Sequence, residues 1–153
     1  FISGNFLTSM LIVSLQLLLL FLVAFFFFKN QLLPILGSLI LVLLIINAVF
    51  ILLGILLGNL FKSEETNMIA SVSVGFILLF FSSALLPIET LPTLIKNIAS
   101  FNPFYITQLI LNKLIIFQAS ISSLLTSLSI LLGYIIVLFG LVYLTQRFVA
   151  QTD

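Results

Sequence analysis

The chain has 153 residues, of which 63% are hydrophobic and only 6% charged. Because soluble proteins carry about 25% charged residues, so few charges cannot cover a water-exposed surface. The net charge of +1 provides no basic patch for a nucleic acid, and the absence of Cys and His excludes disulfides, thiolate nucleophiles and the usual zinc ligands. The composition predicts an integral membrane protein with no nucleic-acid partner, metal or cofactor.

The first two apolar runs comprise residues 6–28 and 35–60. Each is long enough to cross a membrane, since a helix needs about 20 mostly apolar residues for a hydrocarbon core of about 30 Å. Pro34 suits the opening turn of the second helix, where its missing N–H is not needed. We expect Lys29, Asn30 and Gln31 to form a tight turn between the two spans.

Two further runs of sufficient length comprise residues 67–86 and 121–145. All charged residues of the chain fall between or beyond the four runs. A charge in the middle of a bilayer costs at least about 2.5–3.5 kcal/mol, so this placement favours four spanning helices.

Residues 87–120 are too long for a turn, and Pro92 and Pro103 interrupt them. Thr90 suits the N-cap of a short amphipathic helix, and Asn102 with Pro103 ends that helix and begins a second. The apolar face of the first helix consists of Leu91, Leu94, Ile95, Ile98 and Phe101. A helix of about 11 residues covers about 16 Å, so this segment lies at the interface or enters the membrane and returns.

The predicted fold class is all-α, a polytopic transmembrane bundle of four spanning helices plus a re-entrant or interfacial hairpin. Residues 1–153 form a single transmembrane domain, and residues 87–120 form the hairpin. The lysines and Arg147 are divided almost evenly between the two sides, so charge alone leaves the orientation open. Because the chain begins with Phe1 and has no base before its first apolar run, we expect it to be the C-terminal part of a longer protein.

Small residues recur at helical spacing and predict faces for close helix packing. The set comprises Gly54, Gly58, Ser71, Gly75 and, along the last span, Ser122, Thr126, Ser129, Gly133 and Gly140. The alternative is chance, because Gly and Ser are common in membrane helices. Gln16 and Asn47 are the only amides well inside the spans; we expect interhelical hydrogen bonds there, with substrate contact as the alternative.

A polar segment links the second and third spans and consists of Lys62, Ser63, Glu64, Glu65 and Thr66. Ser63 suits the N-cap of the third helix, and the two acids complement the positive helix end. The same charges also suit the docking of a partner. Glu89 precedes the first hairpin helix, where a carboxylate stabilises the positive helix end. We therefore expect it to cap this helix rather than to transfer protons or bind substrate. No activated nucleophile, base or metal site is present within the spans, so we do not expect an enzyme.

Several short motifs follow one another within residues 52–105. They are Gly54 and Gly58, then Glu64 to Thr66, Ser82 to Ala84, Pro87 with Leu91 and Pro92, and Asn102 with Pro103. In this order they resemble the C-terminal half of type-2 ABC transporter permeases. Residues 3–16 are similar to the segment that enters the third helix of such permeases. Asn5, Ala84 and Lys113 depart from the common family pattern and leave the substrate subgroup open.

The resemblance implies that the four spans are helices three to six of a six-helix permease in the cytoplasmic (inner) membrane. It places the loop from Lys62 to Thr66 in the cytoplasm and the hairpin at the outer gate of the pathway. The implied gate residues are Pro87, Glu89, Leu91, Pro92, Asn102 and Pro103. The implied partners are ABC ATPase subunits, a second permease copy in a homodimer or heterodimer, and membrane lipid.

The implied function is that of the membrane subunit of an ATP-driven exporter. The sequence contains no Gly-rich phosphate loop, so the ATPase is a separate chain or lies outside this stretch of sequence, and we expect ATP hydrolysis on a partner chain. The almost uncharged spans favour an amphipathic or apolar substrate without identifying it. The rival hypothesis is a membrane scaffold or assembly protein that does not transport.

Overall fold

A computed structural model describes residues 2–61, 63–85, 87, 90 and 92–149. Over these residues the chain is helical, with no β-strand, and the predicted all-α class is confirmed. The longer helices are α1 (Ile2–Leu32), α2 (Leu36–Leu60), α3 (Glu64–Phe80) and α6 (Ile121–Val149). Two short helices, α4 (Thr93–Ser100) and α5 (Pro103–Ile115), lie between α3 and α6.

Helices α1 and α2 fold back on each other through a 3-10 turn at Leu33–Ile35. The helical geometry of α1 is broken once before this turn, at Phe28, whose φ is −121° and ψ 27°. Lys29, Asn30 and Gln31, predicted as a tight turn, lie within the reversal between this break and the 3-10 turn, where they form an exposed helical turn. The chain turns where its apolar residues can be buried, and Leu32 and Ile35 are only 6% and 5% exposed.

Helices α2 and α6 make the most extensive contact between elements of the described chain. Asn59 Nδ2 near the end of α2 donates to Thr145 Oγ1 near the end of α6 at 3.3 Å, so the two helices run in the same direction. The buried face of α6 consists of Leu124, Leu128, Leu131, Leu138 and Val142. All four of these leucines join α2 and α5 side chains in one apolar core.

Helix α3 is shorter than the predicted third span. It begins at Glu64 and ends at Phe80, whereas residues 67–86 were expected to be helical. Ser82 accounts for the early end, because its hydroxyl donates to the carbonyl oxygen of Leu79 at 2.6 Å and accepts from the Ala84 N–H at 3.3 Å. A serine that bonds nearby backbone groups in this way competes with the helical hydrogen bonds. None of the residues of α3 is buried.

Two helical runs, Gly4–Leu60 and Ile121–Phe148, are long and apolar enough to cross a membrane. The first contains both α1 and α2, while α3 has only 17 residues. The runs support a helical membrane protein, and they do not by themselves establish the predicted count of four crossings. The starts of the second and fourth predicted spans, at residues 35 and 121, agree with the structure to within one residue.

Candidate functional site

The turn between α4 and α5 lies beside the middle of the long helices α2 and α6 and not beside their ends. Tyr134, whose hydroxyl donates to the carbonyl oxygen of Phe101, lies about 20 Å along α6 from Ile121 at ~1.5 Å per residue. Phe104 contacts Phe50 in the middle of α2 edge to face, with ring centroids 5.9 Å apart. The turn from Phe101 to Phe104 is therefore inserted between the long helices.

Asn102 is the central residue of this turn and is only 8% exposed. Its Oδ1 accepts from the Phe104 N–H at 2.9 Å, which caps α5, and Pro103 occupies the first turn of that helix. Its Nδ2 donates to the carbonyl oxygen of Leu78 at 2.6 Å, near the end of α3. The predicted boundary at Asn102 and Pro103 is confirmed, and the same side chain also joins α5 to α3.

A second polar bond joins the end of α3 to α5. The Ser83 hydroxyl donates to Gln108 Oε1 at 3.0 Å, next to the fully buried Ser82. The Thr107 hydroxyl lies nearby on α5 and is fully buried, and within the described residues it has no hydrogen-bond partner. We define the α3–α5 junction as Ser82, Ser83, Asn102, Gln108 and Tyr134.

Side chains at the α3–α5 junction bond backbone groups that lie outside regular helix hydrogen bonding. Non-helical backbone is tolerated at membrane depth only where protein buries it and satisfies its hydrogen bonds, because hydrocarbon provides none. Here the carbonyl oxygens of Leu78, Leu79 and Phe101 and the N–H of Phe104 are each bonded by a side chain. The broken helices can therefore persist away from water.

Two further predicted gate residues, Pro87 and Pro92, precede α4. Pro92 directly precedes the helix, and its carbonyl oxygen accepts from the Lys96 N–H at 2.9 Å. The prediction that Thr90 caps the helix is wrong, since its hydroxyl donates instead to the carbonyl oxygen of Pro87 at 2.7 Å. Pro92 occupies the cap position itself, which leaves Thr90 outside the helix. Glu89 and Leu91 lie outside the described residues.

The apolar face predicted for α4 is present but points outward. Leu94, Ile98 and Phe101 are 78%, 72% and 67% exposed, and Ala99 is the buried residue of this helix. The helix has eight residues and covers about 12 Å. In a membrane protein such a face suits contact with lipid acyl chains.

The polar loop before α3 folds as a helix cap. Ser63 Oγ accepts from the Thr66 N–H at 3.2 Å and donates to Thr66 Oγ1 at 2.6 Å, so the predicted N-cap is confirmed. Glu64 and Glu65 lie in the first turn and are exposed. Their charges are thus available to a partner and favourable for the helix end. Lys62 lies outside the described residues.

The small residues do not mediate close packing within the chain. A Cβ atom added to Gly54, Gly75, Gly133 or Gly140 would meet no atom within 4 Å, and one added to Gly58 would lie 3.7 Å from Asn67 Nδ2. On α6, at about 100° per residue, the small stripe lies opposite the leucine face. Within this stripe, Ser129 Oγ donates to the backbone carbonyl oxygen of Thr126 in the same helix. Ser71 on α3 likewise bonds Asn67 Oδ1 at 3.3 Å. Packing by these residues stays a prediction for contacts with another molecule.

The two amides inside the spans also differ from expectation. Gln16 is exposed on α1, whereas Asn47 on α2 is 9% exposed. Within the described part of the chain neither side chain makes a hydrogen bond, so the predicted interhelical bonds are not formed there.

Sequence reasoning missed Ser82, Ser83, Gln108 and Tyr134 as anchors of the hairpin. Two hydroxyls in succession near the end of an apolar run were a usable signal, because serine favours helix ends and turns. Tyr134 had no comparable signal, since a tyrosine in the middle of a span does not indicate which backbone oxygen it reaches.

The apolar helical runs and the polar α3–α5 junction together define an integral membrane protein with a helical hairpin inserted among longer helices. The model of the ABC-2 family transporter proteins matches residues 1–144, and the chain belongs to that family. It is a type-2 ABC transporter permease, a class of transport protein that is not itself catalytic. The resemblance found in the sequence motifs is confirmed. Neither the curated proteins nor the solved structures compared with the chain show a significant match.

Proposed function

We propose that the chain is the membrane-spanning permease subunit of an ATP-driven exporter. It forms the translocation pathway as a dimer, and separate ABC ATPase subunits supply the energy. The membership of residues 1–144 in the ABC-2 transporter family carries this proposal.

In this proposal α1, α2, α3 and α6 cross the cytoplasmic membrane and correspond to helices three to six of a six-helix permease. Helix α3 covers about 26 Å, and the Asn102–Leu78 and Ser83–Gln108 bonds join its end to α5, which covers about 20 Å. Residues 87–120 form a re-entrant outer gate with Pro87, Glu89, Leu91, Pro92, Asn102 and Pro103. The depth of the α4–α5 turn along α6 supports this part of the proposal.

The loop from Lys62 to Thr66 is the proposed docking element for the ATPase. Support comes from the exposure of Glu64 and Glu65, which lie on a capped and hence ordered helix start. In a chain with only four acidic residues, two adjacent exposed acids are a distinctive charge feature. A basic surface on the partner is expected to face them.

The test is affinity purification of the protein from its own membranes, followed by an ATPase assay of the complex in lipid nanodiscs. We expect an ATP-hydrolysing subunit to copurify and its rate to rise several-fold in the presence of the permease. The double variant Glu64→Gln/Glu65→Gln should lower the recovery of the ATP-hydrolysing subunit. Lys113→Gln, a charge change on α5, should leave that recovery unchanged. Recovery of the protein without any ATPase would instead support a scaffold or assembly role.

A further inference from the structure

An apolar groove lies along the contact between α1 and α2. It is lined by Ser14, Leu17, Leu18 and Phe21 from α1 and by Ile40, Leu43, Leu44 and Asn47 from α2. In the antiparallel order of the two helices, Ser14 lies across from Asn47 at one end, and Phe21 lies across from Ile40 at the other. The groove is open to the outside of the bundle, has a volume of about 230 Å³ and is about 10 Å long at ~1.5 Å per residue.

The polar end of the groove is unsatisfied. Asn47 is nine-tenths buried, yet its amide makes no hydrogen bond within the described part of the chain. Ser14, on the facing helix, makes none either, even to its own helix. Asn47 lies near the middle of α2, where the surroundings in a bilayer are hydrocarbon and offer no partner. An amide in that position is stabilised by a ligand that supplies a hydrogen-bond partner.

The walls of the groove determine what kind of molecule fits. The walls are leucine, isoleucine and phenylalanine, so most of a bound molecule must be apolar. An unsubstituted acyl chain would fill the apolar part but would leave the amide unpaired. No charged residue lines the groove, so nothing in it balances an ionic ligand. Its volume is below the usual range for drug-sized ligands, about 300–1,000 Å³, which favours a slender molecule.

We propose that the α1–α2 groove is a binding site for a slender, neutral lipophile with one hydroxyl or carbonyl group. The hydrocarbon part of the ligand lies against Leu17, Leu18, Leu43 and Leu44, and its polar group bonds the Asn47 amide and the Ser14 hydroxyl. The ligand enters sideways from the membrane, because the groove opens on the outside of the helix pair. The site goes beyond the proposed export function and does not depend on it, since binding here requires no ATPase.

The test uses two photoreactive probes of equal chain length with the same diazirine group, a long-chain alcohol and the matching alkane. The wild-type protein is reconstituted into phosphatidylcholine nanodiscs and irradiated with each probe, and the modified residues are located by peptide mass spectrometry. We expect the alcohol to label groove residues about fivefold more than the alkane, the ratio that one net hydrogen bond gives. Asn47→Leu, which keeps the size of the side chain, should reduce this ratio to about one.

The chain provides a matched control in Gln16, an amide at a similar depth on the exposed face of α1. Gln16→Leu should leave the labelling of the groove unchanged. Leu44→Trp, which fills the groove from its rim, should reduce labelling by both probes. Equal labelling by alcohol and alkane in the wild-type protein would overturn the proposal, because the Asn47 amide would then not favour the alcohol over the alkane. Preferential labelling that survives Asn47→Leu would overturn it as well.

Discussion

Helices α2 and α6 contact each other through apolar side chains that are almost fully buried, among them Leu52 and Leu131. At the α3–α5 junction, by contrast, α3 contributes no buried side chain, and the two elements are joined by the bonds of Asn102 and Ser83. The first region is held by many weak contacts distributed along two helices. The second is held by a few directed bonds at one depth.

The difference follows from the bilayer as a solvent. Lipid tails are as apolar as leucine, so apolar helix contacts there gain dispersion energy and little from the hydrophobic effect. Directed hydrogen bonds face no competition from water in the same environment. The packed pair is therefore suited to stay fixed, while α3, which has no buried side chain, can separate from α5 by breaking a few bonds. A gate requires this second property, which is consistent with the role proposed for residues 87–120.

The largest effect is expected for Leu131→Ala in the packed pair. Leu131 is fully buried, and its truncation leaves a cavity between α6 and its neighbours. We expect a loss of about 3 kcal/mol in the free energy of unfolding, measured in mixed lipid and detergent micelles. Ile136→Ala on the same helix is the control, because Ile136 is 73% exposed and should change stability by less than about 0.5 kcal/mol. Equal effects would show that α6 does not pack by its leucine face.

Asn102→Ala should be next, with a loss of about 2 kcal/mol. The substitution removes the cap of α5 and leaves the buried carbonyl oxygen of Leu78 without its donor. Asn97→Ala, an exposed amide on α4, is the matched control and should be nearly neutral. Asn102→Asp separates the two roles, since it keeps the cap and loses the donor. A neutral Asn102→Ala would mean that the junction is not held by this residue.

Tyr134→Phe tests the third bond of the junction and keeps the aromatic ring in place. We expect a loss of about 1 kcal/mol, because hydrogen bonds between membrane helices average about 0.6 kcal/mol and the Phe101 carbonyl oxygen loses its partner. Hydrogen exchange at the start of α5 should accelerate more than exchange within α2. A uniform acceleration of both helices would argue against a separately releasable hairpin.

Ser63→Ala removes the N-cap of α3 at an exposed site, and we expect a loss of about 1 kcal/mol. Ser63→Asp should restore stability, because a carboxylate accepts the same N–H and complements the helix end. The readout is the free energy of unfolding together with exchange protection of the first turn of α3. Equal stability of the Ala and Asp variants would contradict the cap.

The smallest effect is expected for Gly140→Ala on the small stripe of α6. The added methyl group meets no atom of this chain, and alanine is the better helix former, so stability should rise by up to about 1 kcal/mol. A lowered stability would reveal a close contact within the chain. An unchanged or raised stability together with impaired self-association would assign the stripe to a contact between two permeases.

The sequence predicted the all-helical class, the start of α6 and the Asn102–Pro103 boundary, because chain-wide hydropathy and cap chemistry are local signals. It did not predict which face of α6 packs. Every face of α6 is apolar, so the small-residue stripe and the leucine stripe are equally possible packing surfaces by sequence. In the structure it is the leucines that contact the core. The early end of α3 was missed because hydropathy continues to residue 86 while the Ser82 hydroxyl ends the helix. The hydrogen bond of Tyr134 depends on which residues lie at the same depth in the folded bundle. The order of apolar and polar residues along the chain does not contain this information.

The central claim is that the chain crosses the membrane once between the polar loop and the α4–α5 hairpin, and that the hairpin enters and leaves on the opposite side from that loop. The chain contains no Cys, so single cysteines at Glu65 and Ser120, both exposed, can be labelled with a membrane-impermeant maleimide in intact cells. The account predicts that Ser120→Cys reacts from outside and that Glu65→Cys reacts only after permeabilisation. Labelling of both positions from the same side would contradict it.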